Sequence, residues 1–290
     1  MKWIRKWGYV FIAPVMSLFL TFTIIPAVWS VIISLQRYGI WGVEWVGLQN
    51  FRDLFAWRDF YTALRNTTIY AVAYVVANIT FALGLASLIF PLSNKVQTFF
   101  RAAFYLPRVT SAVVVSLVWA WMFHPSFGLL NQVLAFFGLP PQPWLASPAT
   151  ALWSIILAQV LTMPGSGIIL YLAAIGRIPE TVYEAAELDG ASGFKKWWYI
   201  TVPLVKPTTL YLVVIYTITG FRVFTEIYVM TRGGPGTSTV SLTLLIYNTA
   251  FRDFNFGLAS ALAVVVFAIL ALLSVLQFKL LSPQTARRML

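Results

Sequence analysis

The chain has 290 residues, a formal net charge of +11 and no cysteine; 60% of its residues are hydrophobic and only 10% are charged. Soluble domains carry about 25% charged residues, so this composition, with a mean hydropathy of +0.81, excludes a soluble globular fold and points to an integral membrane protein. Missing thiols exclude disulfides, zinc–thiolate sites and thiol catalysis, and basic residues scattered between apolar runs argue against a nucleic-acid surface.

A helical span needs about 20 mostly apolar residues. The first six residues, Met-Lys-Trp-Ile-Arg-Lys, resemble the basic end of a signal peptide, but the run behind them, Tyr9–Leu35, is too long for a cleaved segment and reads as an uncleaved first span. Thr68–Phe90 is the second and Ala103–Phe123 the third. No charged side chain lies between Arg108 and Arg177, so the next break is set by Gly138-Leu-Pro-Pro-Gln-Pro-Trp144. Ala149–Ala174, Thr208–Met230 and Gly257–Leu281 complete six transmembrane helices. The runs are continuous rather than alternating, so strands are not expected and a membrane barrel is argued against.

Lys2, Arg5 and Lys6 place the N-terminus in the cytoplasm by the positive-inside rule. With six spans, twelve Lys and Arg then fall inside and six outside, Arg108 and Arg222 lying within spans; both termini are expected inside. No extramembranous piece exceeds about 30 residues, too little to bury a core, so residues 1–290 read as one all-α transmembrane domain.

The nine acidic residues form no converging constellation, four of them (Glu180, Glu184, Glu187, Asp189) sharing one loop, and no enzyme is expected. His124, the single histidine, reads as an interfacial residue, not a metal ligand. Gly233-Gly-Pro-Gly-Thr-Ser-Thr239 lacks the lysine of a phosphate-binding loop and reads as a flexible turn on the outer side. If the chain works against a gradient, the energy must arrive from elsewhere. Arg222 and Glu226, four residues apart in the fifth span, share a helix face; they are either a mutually neutralising pair or the lining of a wet pathway.

The charged loop Pro179–Pro207 has the grammar of helix–turn–helix. Pro179 suits a first helical position, Glu180 complements the helix dipole, Ala185 and Ala186 are slim helix formers, and Gly190 can end the helix in a left-handed conformation. Ser192 can cap a second helix through Lys195, Trp197, Trp198 and Tyr199 that Pro203 stops.

Glu184-Ala185-Ala186, three residues, Gly190, nine residues, then Ile200-Thr-Val-Pro203 resembles the EAA motif of ATP-binding-cassette (ABC) importer permeases. Val46-Gly-Leu-Gln-Asn-Phe51, Tyr105-Leu-Pro107, Thr231-Arg-Gly-Gly-Pro235, Tyr247-Asn-Thr-Ala-Phe251 and Phe256-Gly-Leu-Ala-Ser260 are similar to the carbohydrate-uptake branch, first-permease type. The resemblance implies a type I importer permease fold, with a core over about 66–283 and a cytoplasmic coupling loop at 179–207. It implies a second permease subunit, two ATPase subunits carrying ATP and magnesium, an external solute-binding protein, and residence in a bacterial-type inner membrane. Glu184, Ala185, Ala186, Glu187, Asp189 and Gly190 would form the coupling helix, with Ile200 and Pro203 bracing its return to the membrane.

By position in the family, Thr162, Met163 and Ser166 on the fourth span and Tyr216, Gly220 and Val223 on the fifth would line the solute cavity. The last three share one helix face. A sugar fits such a lining, and a glycerol phosphate, polyol or glycoside is the alternative because of Arg222. An autonomous channel or secondary transporter is the competing class, disfavoured by the lack of membrane carboxylates other than Glu226.

Overall fold

The computed structural model describes residues 2–40, 42–162 and 165–281. The chain divides into two compact units, residues 1–60 with 245–269 and residues 61–244 with 270–290.

In the first unit, α1 (Lys2–Phe19) and α2 (Ile25–Ser34) are joined without interruption by a π-helical turn, Leu20–Ile24. Pro26 supplies the cause: it has no N–H to donate and its ring crowds the turn before it. Widening that turn, so that the Ile25 N–H reaches Leu20 O, accommodates the ring. The apolar window within Phe11–Ser34 contains no residue buried by the chain itself, as expected of a helix solvated by lipid or a second chain.

A short antiparallel hairpin follows, β1 (Gln36–Gly39) with β2 (Gly42–Trp45), in register from Gln36 opposite Trp45 to Gly39 opposite Gly42. The sequence reading expected no strand; four-residue strands are too brief to show as alternation. Helix α3 (Gln49–Ala56) packs beneath the hairpin through Asn50, whose buried amide donates to Ser34 O and Gln36 O, each at 2.8 Å. α15 (Leu242–Phe251) leads to α16 (Phe256–Leu281). A Cβ on Gly257 would stand 2.1 Å from Gln36 O, so glycine alone lets α16 meet this corner.

The second unit holds most of α4 (Arg58–Ile89), a rod of about 48 Å. The stretch expected as the third span is not one helix: α5 (Asn94–Val109) gives way at residues 110–111 to α6 (Ala112–Met122), with Ser111 extended at φ −56°, ψ 132°. Lys95 and Arg101 keep α5 amphipathic and suited to the membrane surface. Hydropathy runs smoothly across that break and does not register it. A short α7 (Leu129–Phe136) follows. Then α8 (Ala151–Thr162) and α9 (Gly165–Ile175) form a pair bent by 46°.

Four helical stretches among the described residues are long and apolar enough to cross a membrane: Phe11–Ser34, Arg58–Ile89, Lys206–Met230 and Phe256–Leu280. The α8–α9 pair makes a fifth.

Small residues set the helix spacing. A Cβ on Gly220 would lie 2.8 Å from Ala71 Cα, and one on Gly167 would lie 2.6 Å from the Tyr216 hydroxyl and 2.8 Å from Ala82 Cβ. These approaches lock α4, α9 and α13 (Lys206–Phe221) together.

The glycine-rich segment after residue 230 is not the flexible turn expected. Thr239, fully buried, bonds the Thr231 hydroxyl at 2.7 Å and donates to Gly234 O at 2.9 Å. Asn66 of α4 donates to Thr237 O and Val240 O, and the Leu242 N–H donates to Thr67 Oγ1. Buried bonds of this kind hold the loop to one conformation.

Candidate functional site

The loop between α9 and α13 opens with α10 (Glu180–Leu188). Pro179 stands just outside as N-cap, one position earlier than expected, with ψ 135°, and Glu180 occupies the first turn. The far end is a Schellman stop: Gly190 sits at φ +73°, its N–H bonds Glu187 O and the Ala191 N–H bonds Ala186 O, both at 2.9 Å. Ala185, Glu184 and Glu187 are exposed, Ala186 is half-buried, and Leu188 is 91% exposed. An apolar side chain so fully displayed, on a helix whose carbonyls are capped, is an exposed apolar knob on a preformed helix.

The return limb differs from the expected single helix. Ser192 caps α11 (Gly193–Lys196) by accepting from Lys195 N; a π-helical turn, Trp197–Thr201, follows, then α12 (Val202–Leu204). Pro203 does not stop this helix. It lies inside α12, and the wide turn before it, with Val202 N–H reaching Trp197 O, absorbs its missing donor. The helix ends instead at Val205. Ile200 is half-buried and Pro203 exposed.

Three side-chain links hold the two limbs and α4 together. The Tyr183 hydroxyl bonds Thr201 Oγ1 at 2.8 Å, Lys196 pairs with Glu187, and the Trp197 indole N–H donates to Ser87 Oγ of α4 at 2.8 Å. Sequence reasoning singled out neither Tyr183 nor Thr201 nor Ser87. Phe194, Trp197 and Trp198 cluster beside them, with Phe194 and Trp198 exposed.

Along the apolar stretch Lys206–Met230 the backbone breaks. α13 ends with Arg222 as its C-cap, Phe224 adopts φ −139°, ψ −60°, and α14 (Thr225–Met230) begins anew. Arg222 and Glu226 therefore do not share a continuous helix face, and no ion pair joins them among the described residues. Both line a cavity of about 280 Å³, together with Tyr70, Tyr74, Gln159 and Val223. Tyr216 and Gly220 lie on the buried side of α13, against Gly167 and Ala71, whereas Ile215, Thr219 and Arg222 form its exposed side. The shared face of Tyr216, Gly220 and Val223 is thus a packing face, with only Val223 reaching the cavity. Thr162 accepts the Trp119 indole N–H and donates to Ala158 O, each at 2.7 Å, which ties α8 to α6. Ser166 is half-buried on α9, and Met163 lies outside the described residues. His124 accepts the Ser126 N–H at Nδ1 and stacks on Phe127, which accounts for it structurally.

Residues 93–287 match the family described as "Binding-protein-dependent transport system inner membrane component". The chain is 38% identical over 277 residues to the probable ABC transporter permease protein YurN of Bacillus subtilis, covering 93% of this chain and 94% of that protein. It is 32% identical over 277 residues to the trehalose/maltose transport system permease protein MalF of Thermococcus litoralis, covering 94% of this chain and 93% of that one. In fold it is similar to a chain of the bacterial alginate ABC transporter solved with an alginate pentasaccharide-bound periplasmic protein, with a TM-score of 0.86 at 24% identity over 97% of this chain and 96% of that chain.

Proposed function

This chain belongs to the binding-protein-dependent transport system inner membrane component family and has the type I ABC importer permease fold, and from that premise we propose that it is one permease subunit of an ATP-driven carbohydrate importer. It forms half of the translocation pathway in a bacterial-type inner membrane, beside a second permease subunit. Two ATPase subunits supply the energy and an external binding protein supplies the solute. Residues 1–290 act as one transmembrane domain with its core over about 66–283. The short apolar α6, entered from the end of the surface helix α5, adds a sixth membrane segment to the five, with both termini cytoplasmic.

The observation that carries the coupling role is α10: an exposed helix ended by a left-handed glycine and cross-linked to its return limb. Such a body moves as a unit, so ATPase closure against Glu184–Gly190 is transmitted to the fourth and fifth spans as a rigid-body displacement. Ile200 and Pro203 belong to the return limb, and Tyr183, Lys196 and Trp197 hold it. The sugar assignment draws support from the relative named for trehalose and maltose and from the cavity of tyrosines, an amide and charged groups, since aromatic faces and polar groups suit a polyhydroxylated ring. Thr162, Met163 and Ser166 complete the path from the fourth span, while Tyr216 and Gly220 act as the packed support behind Val223.

The test is uptake by the assembled importer. Glu184→Lys and Gly190→Arg should abolish binding-protein-dependent sugar uptake while the subunit remains in the membrane, and Gly190→Asn, which tolerates the left-handed region, should retain most of it. Normal uptake by both of the first two variants would overturn the coupling role.

A further inference from the structure

The cavity beside the break in α13 brings an amide and two opposite charges into one small space. Gln159 is 3% exposed and lines the space. Arg222 and Glu226 reach the same space from two separate helical segments without pairing. Ionisable groups within a membrane span are uncommon and mark a site of function. Thr219 and Arg222 stand exposed at its mouth, and an exposed guanidinium within a span faces water or a polar partner rather than hydrocarbon.

One cation and one anion in one cavity leave it without net charge. We infer that Arg222, Glu226 and Gln159 form a charge-balanced subsite for an uncharged, hydroxyl-rich ring, in which Glu226 excludes anionic solutes; this rests on the carbohydrate-permease reading above. A hydroxyl group both donates and accepts, so a diol bridges the guanidinium and the carboxylate while the amide takes a third oxygen. A carboxylate or phosphate ester is attracted by Arg222 and repelled by Glu226 in the same small volume. An ammonium group meets the reverse pair. The break at residues 222–224 is what makes the subsite: in an unbroken helix the two side chains, four residues apart, would neutralise each other.

The chain has no cysteine, so Thr219→Cys introduces a single thiol at the mouth, with Thr225→Cys as a second position. In the assembled transporter in membrane vesicles, protection of that thiol from N-ethylmaleimide is measured with methyl glucoside and with glucuronate, which share a ring and differ in charge. The neutral probe should slow labelling and glucuronate should not. Glu226→Gln should shift the ratio of neutral to anionic protection by about tenfold toward the anion, the worth of one charged partner. Equal protection by both probes in the parent, no protection by either at both thiols, or an unchanged ratio in Glu226→Gln would overturn the subsite. Binding-protein-dependent sugar uptake by the same vesicles separates the failures. Uptake without protection leaves the permease reading standing, and the absence of any sugar uptake removes that reading itself.

Discussion

At Gly220 an added methyl group would meet Ala71 Cα at 2.8 Å, whereas at Gly84, on the helix that carries Ala71, it would meet nothing within 4 Å. Gly220→Leu should therefore destabilise the detergent-solubilised subunit by about 1–3 kcal/mol. Gly84→Ala should change it little or raise it by up to about 1 kcal/mol. Thermal unfolding of both variants, each followed by loss of monodisperse protein, checks the pair, and equal midpoints would contradict the close approach. Gly190 is a glycine of another kind: it has open space around it and needs only its φ of +73°. That requirement was legible in the sequence, because a glycine closing an alanine-rich, acid-started segment is helix-stop grammar. Asn66 and Trp197 were not legible. Their partners lie 171 and 174 residues away in one case and 110 in the other, and a bond to a distant carbonyl or hydroxyl leaves no periodic trace.

Pro26 and Pro203 each follow a π-helical turn of five residues by two positions, and in each the residue before the proline bonds back five positions, Ile25 to Leu20 and Val202 to Trp197. A proline in an apolar or aromatic run was therefore a poor stop signal here, and it misled the reading of the return limb. The links that replace it as the fastening of that limb are testable. Tyr183→Phe and Trp197→Phe each remove one hydrogen bond, worth about 0.5–1.5 kcal/mol, and keep the ring. Hydrogen exchange of residues 180–205 should quicken in each single variant and further in the double. In the assembled importer the double variant should lower the sugar-stimulated fraction of ATP hydrolysis more than the basal rate. The spans themselves were well marked by hydropathy, except where α5 passes into α6: a break between two apolar helices changes dihedral angles without changing composition. The cavity was partly legible, since Arg222, Val223 and Glu226 were singled out, but the helical spacing that selected Tyr216 and Gly220 gives a shared face and not its direction.

On the scale of the whole chain, orientation follows from charge and is open to direct mapping, because every cysteine introduced is the sole thiol. Leu188→Cys should react with a membrane-impermeant maleimide only from the cytoplasmic side, and Val43→Cys in the hairpin only from the outside; the reverse pattern would invert the topology. One further consequence concerns synthesis. The apolar window in Phe11–Ser34, with a mean hydropathy of 2.1, contains no buried residue. Hydrocarbon solvation is therefore sufficient to hold it in the bilayer before later helices join it. A truncated chain released shortly after Ser34 should already resist extraction by alkaline carbonate, so this helix is an anchor in its own right.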